Sequence, residues 1–329
     1  MLSKSAPSPS ERSLVAIGGG SGLSVLLRGL KLCYRSPYEK IAAVVSVSDD
    51  GGSSGRLRRE LGILPPGDIR NCLVALANDE DLLARLLQYR FPAGEGLTGH
   101  SFGNLFLAAL ADITGDFYQA IQATEAVLSV HGQILPATLS DVRLHAVGHS
   151  GRAYEGESAV GQSGERIRHL NLDPPDPAAF PTAVETLEQA DMVVLGPGSL
   201  YTSILPNLLI PDIREALRRN SAPVVLILNL MTQPGETDGM NAIDHLDAIA
   251  EHAGADLVDV VLVNGTPLPT DQLTRYAEEG AEVVQIDREA LTRRKVQIVE
   301  AVLLADGSLL RHDPVRLGRA VMTLVRNKL

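Results

Sequence analysis

Tryptophan is absent from the 329-residue chain, and aromatic residues make up only 4% of it. A base-stacking surface of the kind single-strand binders use needs aromatic side chains in number, so that class is disfavoured. Bases are also scarce: 29 Lys and Arg stand against 40 Asp and Glu, a formal net charge of -11. Holding a phosphate backbone needs clustered cations, so no nucleic-acid partner is expected. A local basic pocket for one diphosphate remains compatible with that balance. Cysteine occurs twice, at Cys33 and Cys72, each inside an apolar helical pattern. That gives neither a disulfide framework nor a metal-type spacing, and a reducing cytoplasm is the expected compartment. Long apolar runs are missing too. Val193 to Leu195 and Val224 to Leu228 are far too short to span a bilayer, so no membrane anchor is expected. Met1 to Arg12 is rich in Ser and Pro without an apolar core, and reads as a disordered tail rather than a leader.

What the chain does have is 45% hydrophobic content, ample for a packed core, arranged as short β-branched runs alternating with longer helical patterns. Ser13 to Ile17 and Ile41 to Val47 read as strands, with a helix over Leu23 to Lys31 between them. Both runs are apolar almost throughout, which suits strands covered on both faces. The rhythm then breaks into four successive helices that begin near Gly67, Asp79, Ser101 and Asp116. Gln133 to Thr138, Val142 to Val147 and Arg166 to Leu172 read as short strands of a small β excursion, closed by a Pro-rich connection over Pro174 to Pro181. Strands return at Met192 to Leu195, Val224 to Leu230, Val258 to Val263 and Glu282 to Ile286. Helices lie at Tyr201 to Arg219, Asn241 to Ala253 and Thr270 to Glu279. A strand near Val296 to Leu304 and a helix near Val315 to Arg326 end the chain. The pattern predicts an α/β fold: a doubly wound, mostly parallel, Rossmann-like sheet. A single domain over 13–329 would carry an inserted helical segment and β excursion at about 67–172.

Unusual loops follow the strands. They are Gly18-Gly-Gly-Ser-Gly22, Ser48-Asp-Asp-Gly-Gly-Ser-Ser-Gly-Arg56, Gly196-Pro-Gly-Ser199 and Asn229-Leu-Met-Thr-Gln-Pro-Gly-Glu236. A fifth, Gly99-His-Ser-Phe-Gly-Asn104, opens a helix. Loops at strand carboxyl ends meet in one crevice in such sheets, and ligands bind there. Gly18, Gly19, Gly20, Ser21, Gly22 and Leu23 form a strand-to-helix turn suited to a phosphate, which could use the unpaired helical N–H groups. The spacing has no third Gly for G-x-G-x-x-G and no Gly-Lys-Ser/Thr ending, so neither a standard dehydrogenase nor a P-loop protein is indicated. Asp49 and Asp50, with Gly51, could face Mg²⁺ on a diphosphate or a sugar hydroxyl. Arg56 could clamp phosphate. Arg70 and Asn71 lie in a first helical turn, where the cation opposes the macrodipole and calls for compensation by an anion or by Asp49 or Asp50. His100 and Asn104 flank another helix start. Gly196, Pro197, Gly198 and Ser199 make a second backbone nest. Gly51 to Gly55 matches a Gly-x-Ser-x-Gly string, but Ser53 lies too far past its strand for a nucleophile elbow.

Together these motifs resemble the gluconeogenesis factor family (YvcK-like proteins), relatives of 2-phospho-L-lactate transferase in a CofD-like superfamily. The resemblance rests on Gly18 to Leu30, Ser48 to Arg58, Pro65 to Leu73, His100 to Phe106, Gly196 to Ser203 and Asn229 to Thr237, and spans about Leu14 to Leu329. Ser21 stands where many relatives would carry Thr, and Met1 to Arg12 has no counterpart. The resemblance implies a Rossmann-like fold that binds a UDP-sugar such as UDP-N-acetylglucosamine or UDP-glucose. It also implies a regulatory role in cell-wall growth and cell shape on gluconeogenic carbon, with a cell-wall synthesis or regulatory protein as partner. By motif, Gly18 to Gly22 and Gly196 to Ser199 would hold the diphosphate. Asp49 and Asp50 would face a metal or sugar, and Asn229 and Gln233 would complete the pocket. No cofactor is required on this reading, though Mg²⁺ has a place at the two aspartates. The alternative is a Mg²⁺-dependent transferase of a phospho-linked group from a nucleotide donor, and the base rate for oligomers points to a homodimer.

Overall fold

The structure, a computed structural model, describes residues 12–33, 39–77 and 82–327. The expected tail over Met1 to Arg12 lies outside them except for Arg12, which opens the first strand. The apolar runs become seven parallel strands: β1 (Arg12–Gly18), β2 (Glu39–Val45), β3 (Gln133–Pro136), β7 (Met192–Leu195), β8 (Val224–Ile227), β9 (Val260–Asn264) and β10 (Gln297–Ala301). β1, β7 and β8 are buried almost throughout, as strands with helices on both faces must be. The order across the sheet is β10-β9-β8-β7-β1-β2-β3. A second, antiparallel sheet joins β4 (Arg143–Gly148), β5 (Ala153–Glu155) and β6 (Ile167–Asp173) in the order β5-β4-β6.

Helices fill the connections. α1 (Gly20–Cys33) follows β1. Between β2 and β3 come α2 (Gly52–Leu61), α3 (Gly67–Leu76), α4 (Leu82–Gln88), α5 (Phe102–Thr114) and α6 (Phe117–Leu128). The helix expected from Asp79 is described from Leu82, since 78–81 lie outside the described residues. A short α7 (Glu157–Val160) sits within the small sheet, and α8 (Pro181–Glu188) precedes β7. A π-helical turn (Leu200–Ile204), α9 (Leu205–Leu208) and α10 (Pro211–Arg219) follow β7. Then come α11 (Ala242–Ala253), α12 (Thr270–Glu278), α13 (Arg288–Arg293) and α14 (Pro314–Asn327). Among the described residues no helix is long and apolar enough to cross a membrane.

Four expectations are corrected. Gln133 to Pro136 belongs to the main sheet: β3 pairs parallel with β2, Ala42 opposite Gln133. The inserted material is therefore two pieces, a helical one before β3 and the small sheet after it. The stretch read as a long loop from Ser48 to Arg56 becomes helical from Gly52. Tyr201 to Arg219 is not one helix, because prolines at Pro206 and Pro211 start new ones after a π-helical turn. Glu282 to Ile286 is no strand and makes one isolated bridge, Val283 with Met231. One hydrophobic cluster runs through the main sheet and both inserted pieces, with Leu14, Leu73, Leu144 and Leu170 all in it.

Candidate functional site

The chain goes from β1 to β2 on one side, and from the far end of that side it returns to place β7 on the other. The order of winding therefore reverses between β1 and β7, and ligands bind at such a point, beyond the carboxyl ends of the strands. Only Gly19 separates β1 from the first residue of α1. Gly20 has φ +62°, a left-handed conformation that favours glycine. Gly22 meets the other loop directly: a Cβ there would lie 2.3 Å from the Pro197 carbonyl oxygen and 2.8 Å from the Gly198 Cα. The two loops thus touch through backbone, and the start of α1 opens into the gap between them.

A cavity of about 560 Å³ fills that gap, within the range of small-molecule sites. Of the residues expected from sequence, Gly19, Gly20, Ser21, Gly22, Pro197, Gly198, Ser199, Asn229 and Gln233 line it. Gln233 Oε1 is buried there without a hydrogen-bond partner. Asn229 Nδ2 donates to the Gly198 carbonyl at 2.8 Å and so fixes the opposite wall. Gly18, Leu23 and Gly196 lie behind the wall, and Leu23 is part of the core. The sequence reading missed the outer wall of Tyr276, Leu310, Arg311 and His312. Among the described residues Arg311 is the one Lys or Arg lining this cavity. No motif marked it, because the segment is an irregular return that the bridge between Leu304 and His312 brings over the crevice. His312 is buried, its Nε2 has no partner, and burial pushes its pKa down to about 4, so the ring is neutral.

The second nest is largely satisfied from within. Glu236, 3% exposed, accepts from the Ser199 hydroxyl and from the Tyr201 N–H at 2.9 Å. An internal carboxylate therefore occupies the donors at the start of the π-helical turn. Burial raises the Glu236 carboxyl pKa, opposed by these hydrogen bonds.

The remaining expected residues gather in a second group beside α1, around the starts of α2, α3 and α5, and none of them lines the main cavity. Asp49 Oδ1 accepts from the Gly51 N–H at 2.9 Å, and a Cβ on Gly67 would lie 2.6 Å from its Oδ2. Its carboxylate thus sits at the start of α3, where the helix dipole favours it. Asp50 Oδ1 accepts from the Ser158 N–H at 2.9 Å and the Ser158 hydroxyl at 2.7 Å, which ties the segment before α2 to α7. Arg56 donates to the Thr98 carbonyl at 2.8 Å. Arg70 donates to Asn71 Oδ1 at 2.6 Å, and Asp68 and Asp49 supply the charge compensation that its place in the first turn of α3 requires. His100 Nδ1 lies 3.0 Å from the Ser53 hydroxyl. Asn104 Nδ2 donates to Ser54 at 3.3 Å, while its Oδ1 is buried and unpaired.

Asp68, in the first turn of α3, joins the two groups. A Cβ on Gly19 would lie 2.5 Å from its Oδ2, and the Gly20 N–H and the Ser46 hydroxyl turn toward it. Burial and the nearby Asp49 raise its pKa to about 6. The Glu157 carboxyl is raised well above its ordinary value, first by burial and then by Asp68, Asp49 and Asp50. Such a set suggests a divalent cation, but the donors fit poorly. Asp50 is committed to Ser158, and no group of three or more His, Cys, Asp or Glu among the described residues could hold a metal. Asp49 alone remains as an outer carboxylate for an ion carried in on a phosphate, the usual manner for Mg²⁺.

A doubly wound, mostly parallel sheet with a crevice at its switch point defines a Rossmann-like α/β protein. The family described as 2-phospho-L-lactate transferase CofD matches residues 14–304. The chain is 44% identical over 314 residues to the gluconeogenesis factor of Bacillus subtilis, covering 95% of this chain and 98% of that one. It is 47% identical over 313 residues to the gluconeogenesis factor of Halalkalibacterium halodurans, covering 95% and 96%. A crystal structure of a UPF0052 family member from Bacillus halodurans superposes with a TM-score of 0.90 at 45% identity, over 95% of this chain and 99% of that one. The chain belongs to the gluconeogenesis factor branch of the CofD family.

Proposed function

We propose that the protein binds a UDP-sugar, of the UDP-N-acetylglucosamine or UDP-glucose type, and acts as a cytoplasmic regulator of cell-wall synthesis and cell shape on gluconeogenic carbon. The observation that carries the reading is the single cavity that joins the α1 cradle to Arg311 and to the unpaired Gln233 Oε1. A diphosphate at the start of α1 gains N–H donors and the helix dipole. Arg311 supplies the opposing charge, and Gln233 offers an acceptor to a uracil N–H or a sugar hydroxyl. The names of the relatives support the metabolic setting. A protein of the cell-wall synthesis machinery, or one that regulates it, would read the bound state.

Thermal melting with UDP-N-acetylglucosamine, UDP-glucose, GDP and NAD, each with and without Mg²⁺, tests this. A ligand at 100 times its Kd adds about 2.7 kcal/mol, a rise of several degrees. UDP-sugars should give that rise and Arg311→Gln should reduce it. No rise with either sugar would sink the proposal. The family match favours one second reading, a transferase of a phospho-linked group from a nucleotide donor. A Mg²⁺-dependent rise with GDP alone, and a transferred product seen by mass spectrometry, would put it first.

A further inference from the structure

A separate cavity of about 250 Å³ lies between α2 and the β4–β5 pair. Arg58, Arg59 and Arg143 line it, with Ser48, Asp50 and Glu155. Its chemistry is unbalanced. Arg58 is 8% exposed, and its Nη2 is spent on the Val142 carbonyl at 2.7 Å and Asp141 Oδ1 at 2.5 Å. Among the described residues its buried Nε and Nη1 have no partner. The Ser48 hydroxyl, 1% exposed, is buried and unpaired as well. A buried donor left unsatisfied costs free energy, and more so when it is charged.

The two carboxylates in the lining do not answer that need. Asp50 Oδ1 already accepts two hydrogen bonds from Ser158. Glu155 pairs only loosely with Arg143, at 3.9 Å, and both side chains are more than half exposed. An exposed pair of this kind is worth little and is easily exchanged for another partner. Arg59 is exposed at the rim.

We propose that this cavity is a second ligand site, for a phosphate group. The oxyanion takes the Ser48 hydroxyl and an unpaired Arg58 donor on its inner side, and Arg143 turns from Glu155 to close the outer side. Arginine with a hydroxyl donor suits a tetrahedral oxyanion. None of these residues lines the larger cavity.

The test uses the full chain. Inorganic phosphate is titrated calorimetrically at fixed ionic strength into the wild type, Ser48→Ala and Arg143→Gln, with melting curves to confirm that both variants fold. Crystals soaked in tungstate locate the oxyanion by anomalous scattering. The expected result is a tungstate peak beside Arg58 and Ser48, and phosphate affinity weakened about tenfold in each variant, the loss of one charge-assisted hydrogen bond. Displacement of phosphate by glycerol phosphate would assign the site to a phosphate ester, and failure to displace would assign it to the free ion. A peak in the cavity with variant affinities unchanged would mean an adventitious ion only and would overturn the proposal. So would a peak confined to the α1 cradle, or no binding of phosphate at all.

Discussion

At the scale of single residues, the crevice depends on positions where a side chain has no room or a charge has no water. Gly22 is the clearest case of the first kind, because a Cβ would press on the Pro197 carbonyl and the Gly198 Cα, both backbone. Neither can rotate away as a flexible side chain would. Gly22→Ala should therefore lose about 2 kcal/mol of stability in urea unfolding and, by parting the two loops, most of its affinity for the nucleotide ligand. A variant that binds as well as wild type would show that the loops need not touch.

Two buried titratable groups give pH signatures of opposite sign. His312 is depressed to about 4 in the folded chain against an ordinary value near 6.5. Its contribution is complete above 6.5 and is lost as pH falls toward 4, because the unfolded chain takes the proton first. The difference is about 3 kcal/mol. His312→Gln should flatten the melting temperature between pH 7 and pH 4.5. Asp68 is raised to about 6 from 3.8. The folded state then holds the extra proton between those values, so this group lowers stability as pH rises through the window. Asp68→Asn should accordingly gain on the wild type between pH 4 and pH 7 in parallel melting curves. A constant difference across that range would mean that Asp68 titrates normally.

At the scale of elements, packing explains a helix that propensity argues against. α2 begins Gly52-Ser-Ser-Gly55, residues that are poor in helix interiors and read naturally as a loop. A Cβ on Gly55 would lie 1.8 Å from the Asp50 carbonyl oxygen, so glycine is there to let the helix pass the segment that carries Asp49 and Asp50. The same device joins the first and last helices. A Cβ on Gly29 of α1 would sit 1.8 Å from the Pro314 carbonyl, and one on Gly318 of α14 would sit 2.3 Å from the Gly29 carbonyl carbon. Their backbones therefore touch, and Gly29→Val should cost about 3 kcal/mol in chemical denaturation by forcing the helices apart. β3 illustrates a different limit. Its run of four residues pairs with β2, whose sequence lies more than eighty residues earlier, and nothing local distinguishes it from the excursion strands that follow.

At the scale of the whole molecule, the excess of acid shows in the cluster of Asp68, Glu157 and Glu236, whose carboxyls are all raised, chiefly by burial. The net charge of -11 adds self-repulsion, which salt screens. Melting at pH 8 should rise by a few degrees between about 0.02 M and 0.3 M KCl, where the Debye length shrinks several-fold. A flat response would place the repulsion outside the folded-state balance. On the same scale, the sheet order puts the crevice between β1 and β7 and sends the Asp49 group to one side of it and the Arg311 return to the other.

The class of fold, most strands of the sheet and the loops that carry glycine and acid can be read from local sequence alone. Continuous apolar runs and turn residues are local signals that the chain states directly. That Gly19 to Gly22, Gly198, Asn229 and Gln233 meet at one crevice was legible for that reason, as was the family. It took the folded arrangement to show that Glu236 fills the second nest, that Asp50 serves Ser158, that Asp68 reaches the start of α1 and that Arg311 and His312 wall the cavity. Those outcomes depend on which groups satisfy one another across the fold. A buried donor takes whichever acceptor the packing brings within about 3 Å, and spacing along the chain carries no record of that choice.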